Sequence, residues 1–394
     1  MATLRTVAPR TLAVAAALVL APLPAAAQEV RIGFITTLTG PCALIGDPIK
    51  KGWDLAIEHL GGKFGGVPAK ISVGDDQLKP DVAINVVDRF LTQDKVHFVV
   101  GPGWTNLMLA TKDRVLASSA VLVSPVSGPS QLAGEGCSPY FFALSWQSDQ
   151  IPEATAQILN EEKVDNVYIL APNYQAGKDV VRGFQRVYKG KVAGESLFQF
   201  GMSDFQAELS VLRAKSPSAV AVFAPGAMGV AFMKQWAVSG LAGKVKLYTM
   251  YVIDHITLPP IGDAAVGTVL AYHWNAEGEA PATKKFVADY SAKHGAIPSI
   301  YAMQAYDSAL AIDAAVKGTK GDVSDRKALA LAMRKADFAS VRGRLSFGKN
   351  HFPIQDYYQF EVVKGPGGAP TIKTGKLIFK DYPDPYVKDC KMPF

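Results

Sequence analysis

Two short apolar strands end in turns whose residue types suit the binding of an anion and an aromatic ring. The first strand, residues 97–100, runs into Gly101–Gly103 and then into Trp104–Asn106. Glycine lets the backbone turn sharply and approach a guest, and either polar residue that follows is expected to cap the next helix. The first N–H groups and the positive dipole end of that helix attract an anion. The arrangement recurs where strand Val121–Ser124 leads into Pro125–Gly128.

An ordinary β–α turn with a capping threonine is the alternative interpretation of the first stretch, and the recurrence favours a binding site. Catalytic motifs are missing from the sequence: it has no HExxH, GxSxG, Walker or strand-linked GxGxxG pattern. The six histidines are scattered, and three distant cysteines do not form a metal site. We therefore expect no enzyme, no catalytic residues, no metal and no cofactor.

The beginning of the chain has the features of a secretory signal peptide, residues 1–27. Arg5 and Arg10 precede an apolar run that ends in the small residues Ala25–Ala27. No cysteine follows that cleavage site, so we expect a soluble periplasmic protein without a lipid anchor. The 394 residues carry a formal net charge of +6 but no basic run, which argues against a nucleic-acid partner.

Strand and helix patterns alternate from Val30 onward in two similar sets that join near Ser145. Such alternation predicts an α/β fold with parallel sheets and right-handed crossovers. We expect two doubly wound lobes joined by a three-crossing hinge, with ligands bound at the carboxyl ends of the strands. Residues 28–144 and 275–340 are assigned to lobe 1, and residues 145–274 and 341–394 to lobe 2. Connectors over 268–274 and 340–347 are predicted to be strand-like, and the tail to carry a hairpin.

Cysteine placement is consistent with one disulfide in an oxidising compartment. Cys42 lies in a loop assigned to the ligand side, so the pairing of Cys137 with Cys390 is favoured, although other pairings stay open.

Several short motifs follow one another along the chain in a specific order and spacing. They are Ile32-Gly33, Gly40-Pro41, Gly46-Asp47, Asp75-Asp76, Val99-Val100-Gly101, Ser124-Pro125, Ser148-Asp149-Gln150, Tyr174 with Gly177, and Asp204-Phe205. In these motifs the chain resembles the branched-chain-amino-acid (Leu/Ile/Val-binding) type of periplasmic substrate-binding proteins of ABC transporters. The resemblance spans the whole mature chain and implies the type I periplasmic binding protein fold.

The resemblance also implies a site between the lobes. A ligand carboxylate is expected on the two lobe 1 turns, at Trp104, Thr105, Val126 and Ser127. Aromatic side chains from outside these two turns, Tyr174 and Tyr301, are expected to contact the ligand as well.

One position departs from the family pattern. Where amino-acid binders place an acidic residue against the ligand ammonium, this chain has Tyr251. Asp254, three residues on, is the alternative acidic partner, and it is not favoured. A buried ammonium without a carboxylate is costly. We add Trp146 and His255 to the expected lining of the pocket. Its planar, apolar walls with hydroxyl groups suit an aromatic carboxylate that is hydroxybenzoate-like or phenylpropenoate-like.

The expected function is therefore that of a monomeric solute receptor that delivers a small organic acid to ABC permease and ATPase subunits. Binding of branched-chain or other amino acids for uptake, and ligand sensing for a membrane receptor, are the alternatives.

Overall fold

The computed structural model describes residues 1–4, 28–40 and 42–393. Most of the predicted signal peptide, residues 5–27, lies outside the described residues. The described part of the chain forms two α/β units, each built on one sheet.

The first sheet has six strands in the order β2-β3-β1-β4-β5-β6, all parallel except β2. Its central strands β1, β4 and β5 are almost wholly buried, because helices cover both faces. The strands are β1 (Val30–Thr36), β2 (Lys63–Phe64), β3 (Val67–Asp75), β4 (Phe98–Val100), β5 (Val121–Ser124) and β6 (Phe141–Ala143).

The second sheet repeats this winding as β8-β7-β9-β10-β11 and then adds the antiparallel strands β12, β13 and β14. The predicted tail hairpin is present as β13 and β14. The strands are β7 (Asn166–Pro172), β8 (Lys191–Phe198), β9 (Ala219–Phe223), β10 (Lys246–Met250), β11 (Val269–Tyr272), β12 (Ser346–Phe347), β13 (Pro353–Lys364) and β14 (Pro370–Tyr382).

Helices connect the strands of each sheet, and three late helices follow the second sheet's parallel strands. Among these, α10 packs along α1 of the first unit, where the Gly52 position leaves no room for a Cβ beside the Ala302 carbonyl. The helices are α1 (Ala43–His59), α2 (Pro80–Thr92), α3 (Thr105–Ala117), α4 (Gln150–Glu161), α5 (Gln175–Val187), α6 (Gln206–Lys215), α7 (Ala227–Val238), α8 (Leu258–Ile261), α9 (Pro281–His294), α10 (Ile300–Gly318) and α11 (Arg326–Arg334).

We call the first sheet with α1–α3 and α9–α11 the first lobe, and the second sheet with α4–α8 the second lobe. The chain passes between them after β6, after β11 and after α11.

Two local expectations were wrong. The pairs Gly40-Pro41 and Gly46-Asp47 predict a loop over residues 38–48 and a helix from Ile49, but helix α1 begins at Ala43 and includes Pro48. Gly46 is needed inside the helix because a Cβ there would lie 1.6 Å from the Thr37 carbonyl oxygen. The connector at 340–347 forms a ladder only at Ser346–Phe347.

A buried arginine forms hydrogen bonds that link the crossings between the two lobes. Arg342 Nε donates to Asp307 Oδ2 on α10 over 3.0 Å, and its other nitrogens donate to the carbonyls of Leu144 and Ser145 in the first crossing. The Trp274 indole of the second crossing donates to the Val341 carbonyl over 3.1 Å. All three crossings therefore share one hydrogen-bonded cluster, which we call the hinge cluster.

The predicted disulfide is confirmed. Cys137, between β5 and β6, is bonded to Cys390 in the tail, 253 residues away and with 5.7 Å between the Cα atoms. Cys42 is a free thiol.

Replacing both Cys137 and Cys390 by serine is expected to lower the free energy of unfolding by about 2–4 kcal/mol, because the unfolded chain loses a very long-range cross-link. Thermal melting of the oxidised protein measures the loss. Cys42→Ser is the control and should melt like the unsubstituted protein. Equal melting temperatures for the two variants would contradict the prediction.

Candidate functional site

A cavity lies between the carboxyl ends of the strands of the two sheets, with about 520 Å³ of empty space that includes the part open to solvent. Turns after β4 and β5 supply its first-lobe wall, together with the start of α1. Segments after β7, β9 and β10 supply its second-lobe wall, and Tyr301 comes from the start of α10. In doubly wound sheets this edge is where ligands bind. The lining residues are Ile45, Ile49, Gly103, Trp104, Thr105, Val126, Ser127, Gly128, Trp146, Ser148, Tyr174, Ala176, Val180, Phe223, Pro225, Tyr251 and Tyr301.

The β4 turn presents the start of α3 to this cavity. Gly101 has a φ of +98°, and a Cβ there would lie 2.0 Å from the Ile35 carbonyl oxygen, so only glycine fits. The expectation that Thr105 or Asn106 caps α3 was wrong: Thr105 is the first helical residue, and no side chain caps the helix. The first N–H groups of α3 are therefore left for another acceptor.

The β5 turn lies directly beside the start of α3. Ser127 Oγ donates to Thr105 Oγ1 over 3.3 Å, and both residues are buried. Ser124 Oγ donates to the Ser127 carbonyl over 2.5 Å, while Ser148 Oγ donates to the Gly128 carbonyl over 2.8 Å. Two hydroxyl groups and a helix start thus converge at one end of the cavity, held by hydrogen bonds within the turn and from Ser148.

Aromatic rings form the remaining walls. The Trp146 ring centroid lies 4.9 Å from that of Tyr251 and 6.2 Å from that of Tyr301. On the other side, Tyr174 stacks at 6.1 Å on Phe223, which lies 5.2 Å from Tyr251. Such walls favour a planar ring bound between them.

Tyr251 has an unusual backbone, with a φ of +58°. A bulky side chain in this left-handed region costs about 1–3 kcal/mol and persists where the surroundings fix it. Here its hydroxyl donates to the Ser148 carbonyl over 3.4 Å, and its ring packs between Trp146 and Phe223.

The cavity lining contains no acidic, basic or histidine side chain among the described residues. Burial raises the pKa of Tyr174, Tyr251 and Tyr301 well above the usual tyrosine value, so these phenols stay neutral. The cavity offers neutral hydrogen-bond donors and apolar surface. It has no carboxylate that would pair with an ammonium group.

Eight of the nine residues expected at the site line this cavity, and His255 does not. His255 Nε2 lies 3.0 Å from Asn275 Oδ1, and both residues line a separate cavity. Asp254 also lines that second cavity. Its Oδ1 accepts from the backbone N–H groups of Ile256 and Thr257, so it caps its own turn instead of facing the main cavity.

Several lining residues were not predicted. Phe223 ends the continuously apolar strand β9 and Pro225 follows it. A continuously apolar strand is the same signal that marked β4 and β5, so both residues could have been predicted. Ile45 and Ile49 lie one helical turn apart on α1. Core residues of a helix have the same spacing, so the sequence does not distinguish these two lining residues from core residues.

The sequence profile of the family described as periplasmic binding protein matches residues 29–368. The chain belongs to this family. Within it, the branched-chain-amino-acid type and the type I fold expected from the sequence are confirmed.

Three similar proteins illustrate the family. A Leu/Ile/Val-binding protein homolog 6 of Brucella melitensis is 24% identical over 360 residues, covering 89% of this chain and 92% of the relative. An ABC-transporter solute-binding protein of R. palustris, solved in complex with benzoate, is 25% identical with a TM-score of 0.86, covering 92% and 99%. A solute-binding protein of Rhodopseudomonas palustris BisB5, solved in complex with 3,4-dihydroxybenzoic acid, is 27% identical with a TM-score of 0.85, covering 91% and 99%.

This periplasmic binding protein is therefore a solute-binding protein of the ABC-transporter class, whose members bind small molecules and work with permease and ATPase components. Across the described residues, no helix is long and apolar enough to cross a membrane. The same residues contain no group of three or more histidine, cysteine or acidic side chains placed to hold a metal ion.

Proposed function

We propose that this protein binds a small aromatic carboxylate, hydroxybenzoate-like or phenylpropenoate-like, for uptake from the periplasm. The observation that carries the proposal is the uncharged cavity: aromatic walls at one end, and Thr105, Ser127 and the uncapped start of α3 at the other. Hydroxyl and backbone N–H donors at a helix start stabilise a carboxylate without a buried counter-charge. The ring then lies between Trp146, Tyr174 and Tyr251.

Two solved relatives that bind benzoate and 3,4-dihydroxybenzoic acid support this substrate class. Of the nine expected contacts, we retain Trp104, Thr105, Val126, Ser127, Trp146, Tyr174, Tyr251 and Tyr301 as the binding residues, and we no longer assign His255 to the site.

Ligand capture in this proposal is a closing of the two lobes about the hinge cluster. The cleft of this structure is closed, since the Trp104 ring lies 5.4 Å from Phe200, which in turn lies 4.7 Å from Tyr174. Residues 28–144 with 275–340, and 145–274 with 341–394, are the units that we propose to move. Contacts that only the closed form completes would drive the shift.

We further propose that the protein acts as a non-catalytic monomer in the periplasm, without a lipid anchor, after removal of residues 1–27. A closing cleft needs both lobes free to move, which favours the monomer.

Uptake of an amino acid is the second candidate, because curated relatives carry the name Leu/Ile/Val-binding protein. Such a ligand would bury its ammonium group in a cavity whose described lining has no carboxylate.

Titration calorimetry with matched ligand pairs distinguishes the two candidates. The protein is unfolded and refolded first, to remove any carried-over ligand. 3-Phenylpropanoate and phenylalanine differ only by the ammonium group, as do 4-methylpentanoate and leucine; benzoate, 4-hydroxybenzoate, p-coumarate and ferulate complete the panel. We expect an aromatic acid to bind at least a hundredfold more tightly than either amino acid, because an unpaired buried ammonium costs several kcal/mol. Tighter binding of an amino acid would overturn the proposal.

A further inference from the structure

The loop of residues 125–137, between β5 and β6, is held at both ends by groups from outside the first lobe. Its start is the turn that faces the cavity, where the Gly128 carbonyl accepts from the N–H and the Oγ of Ser148, each over 2.8 Å. Its end is Cys137, which is bonded to the tail at Cys390. Near that end, the Ala133 carbonyl accepts a hydrogen bond of 2.7 Å from Asn350 Nδ2. Both ends of the loop are thus anchored, and the stretch between Gly128 and Ala133 lies between the anchors.

The middle of the loop contacts one further residue of the second lobe. Asp179, on α5, is fully buried. Its Oδ1 accepts from Ser130 Oγ over 2.9 Å, and its Oδ2 lies 3.3 Å from the backbone nitrogen of Ser130, which donates to it. Ser130 belongs to the first lobe, so both hydrogen bonds cross the cleft.

The Asp179 carboxylate also has hydrogen-bond partners within its own lobe. Its Oδ1 also accepts from Gln175 Nε2 over 2.8 Å and from Arg182 Nη2 over 2.7 Å, both on the same helix. The carboxylate therefore keeps two partners within the second lobe when the cleft opens, and it loses only Ser130.

The cross-cleft contact lies close to both walls of the site. Ser130 follows Ser127 by three residues, and Asp179 precedes the lining residue Val180 on α5. A bond between them couples the turn that faces the ligand to the helix that lines the opposite wall.

We propose that Asp179 is a positioning residue for ligand binding, acting through Ser130 to hold the 125–137 loop against the ligand only while the lobes are closed. The inference rests on the proposed function, because the turn it positions is the one assigned to the carboxylate. Contacts formed only in the closed state slow ligand release, whereas capture by the open state is unaffected.

Stopped-flow fluorescence of the full mature protein with 4-hydroxybenzoate tests this inference, since Trp104 and Trp146 lie in the cavity wall. Ser130→Ala and Asp179→Asn are each expected to raise the dissociation rate constant about tenfold, the loss typical of a hydrogen bond to a charged group. The association rate constant should stay within about twofold. Ser130→Ala removes the Oγ bond and keeps the backbone N–H bond to Asp179. The double variant should release ligand no faster than the faster single variant, because both changes act on the same Ser130–Asp179 contact.

A matched control is the Ser218–Asp165 pair, whose 2.9 Å hydrogen bond lies wholly in the second lobe. Ser218→Ala should leave both rate constants unchanged. Because Ser130→Ala keeps every other partner of Asp179, it serves as the decisive variant if Asp179→Asn folds poorly.

The outcomes separate the two proposals. Unchanged dissociation in Ser130→Ala, or effects of the two substitutions that simply add, would overturn the positioning role and leave the proposed function standing. A wild-type protein that binds no aromatic acid would overturn both.

Discussion

Replacing Thr105 by valine and Ser127 by alanine together is expected to weaken binding of 4-hydroxybenzoate at least a hundredfold. The two hydroxyls lie 3.3 Å apart beside the uncapped start of α3, where we propose that the ligand carboxylate binds. Each hydrogen bond to a charged group contributes about 1.5–3 kcal/mol. Both substitutions are close to isosteric, so the cavity keeps its shape and the loss reports the missing donors.

The control for this prediction lies on the same helix. Thr111 is fully buried and donates to the Leu107 carbonyl over 2.9 Å, without lining the cavity. Thr111→Val should therefore bind 4-hydroxybenzoate like the unsubstituted protein. Calorimetry that gives the Thr105/Ser127 variant the same affinity as Thr111→Val would show that the carboxylate binds elsewhere.

Arg342→Met is expected to lower the free energy of unfolding by about 3–5 kcal/mol, because it leaves the fully buried Asp307 carboxylate without its cationic partner. It also removes the donor to two carbonyls of the first crossing, Leu144 and Ser145. This loss of stability arises in the hinge cluster, so it can be measured without a ligand. Urea unfolding of the ligand-free protein measures it.

The neighbouring arginine supplies the matched control. Arg344 lies two residues away and is largely exposed, with a 3.4 Å ion pair to Asp381. Arg344→Met should cost no more than about 1 kcal/mol. Adding Asp307→Asn to Arg342→Met should recover part of the loss, because the unpaired charge is then gone. Equal urea midpoints for Arg342→Met and Arg344→Met would contradict the assigned role of Arg342.

The sequence was most informative where the backbone follows regular rules. Continuous apolar runs before Gly101 and Pro125 indicated buried parallel strands, and the carboxyl ends of such strands meet at one edge. That rule places the turns at Trp104 and Ser127 together without any knowledge of side-chain directions. The alternation of strands and helices likewise predicted two similar sheets.

The directions of side chains and the tertiary contacts could not be predicted from the sequence. His255 and Tyr251 are four residues apart after the same strand, yet only Tyr251, whose backbone φ is +58°, lines the main cavity. The 340–345 segment looks like a strand, but Asp307 accepts from Ser340 Oγ and from the Val341 N–H. Side-chain hydrogen bonds from α10 thus replace the ladder that the pattern predicted.

The uncharged lining of the cavity has a consequence for the conditions under which such a receptor can work. An anion held by helix N–H groups and hydroxyls, with no lysine or arginine among the described residues that line the cavity, has no nearby counter-charge whose attraction dissolved ions could screen. Its affinity should therefore change little between dilute and saline surroundings. The three phenols of the lining stay protonated, so the pH dependence of binding should follow the ionisation of the ligand itself.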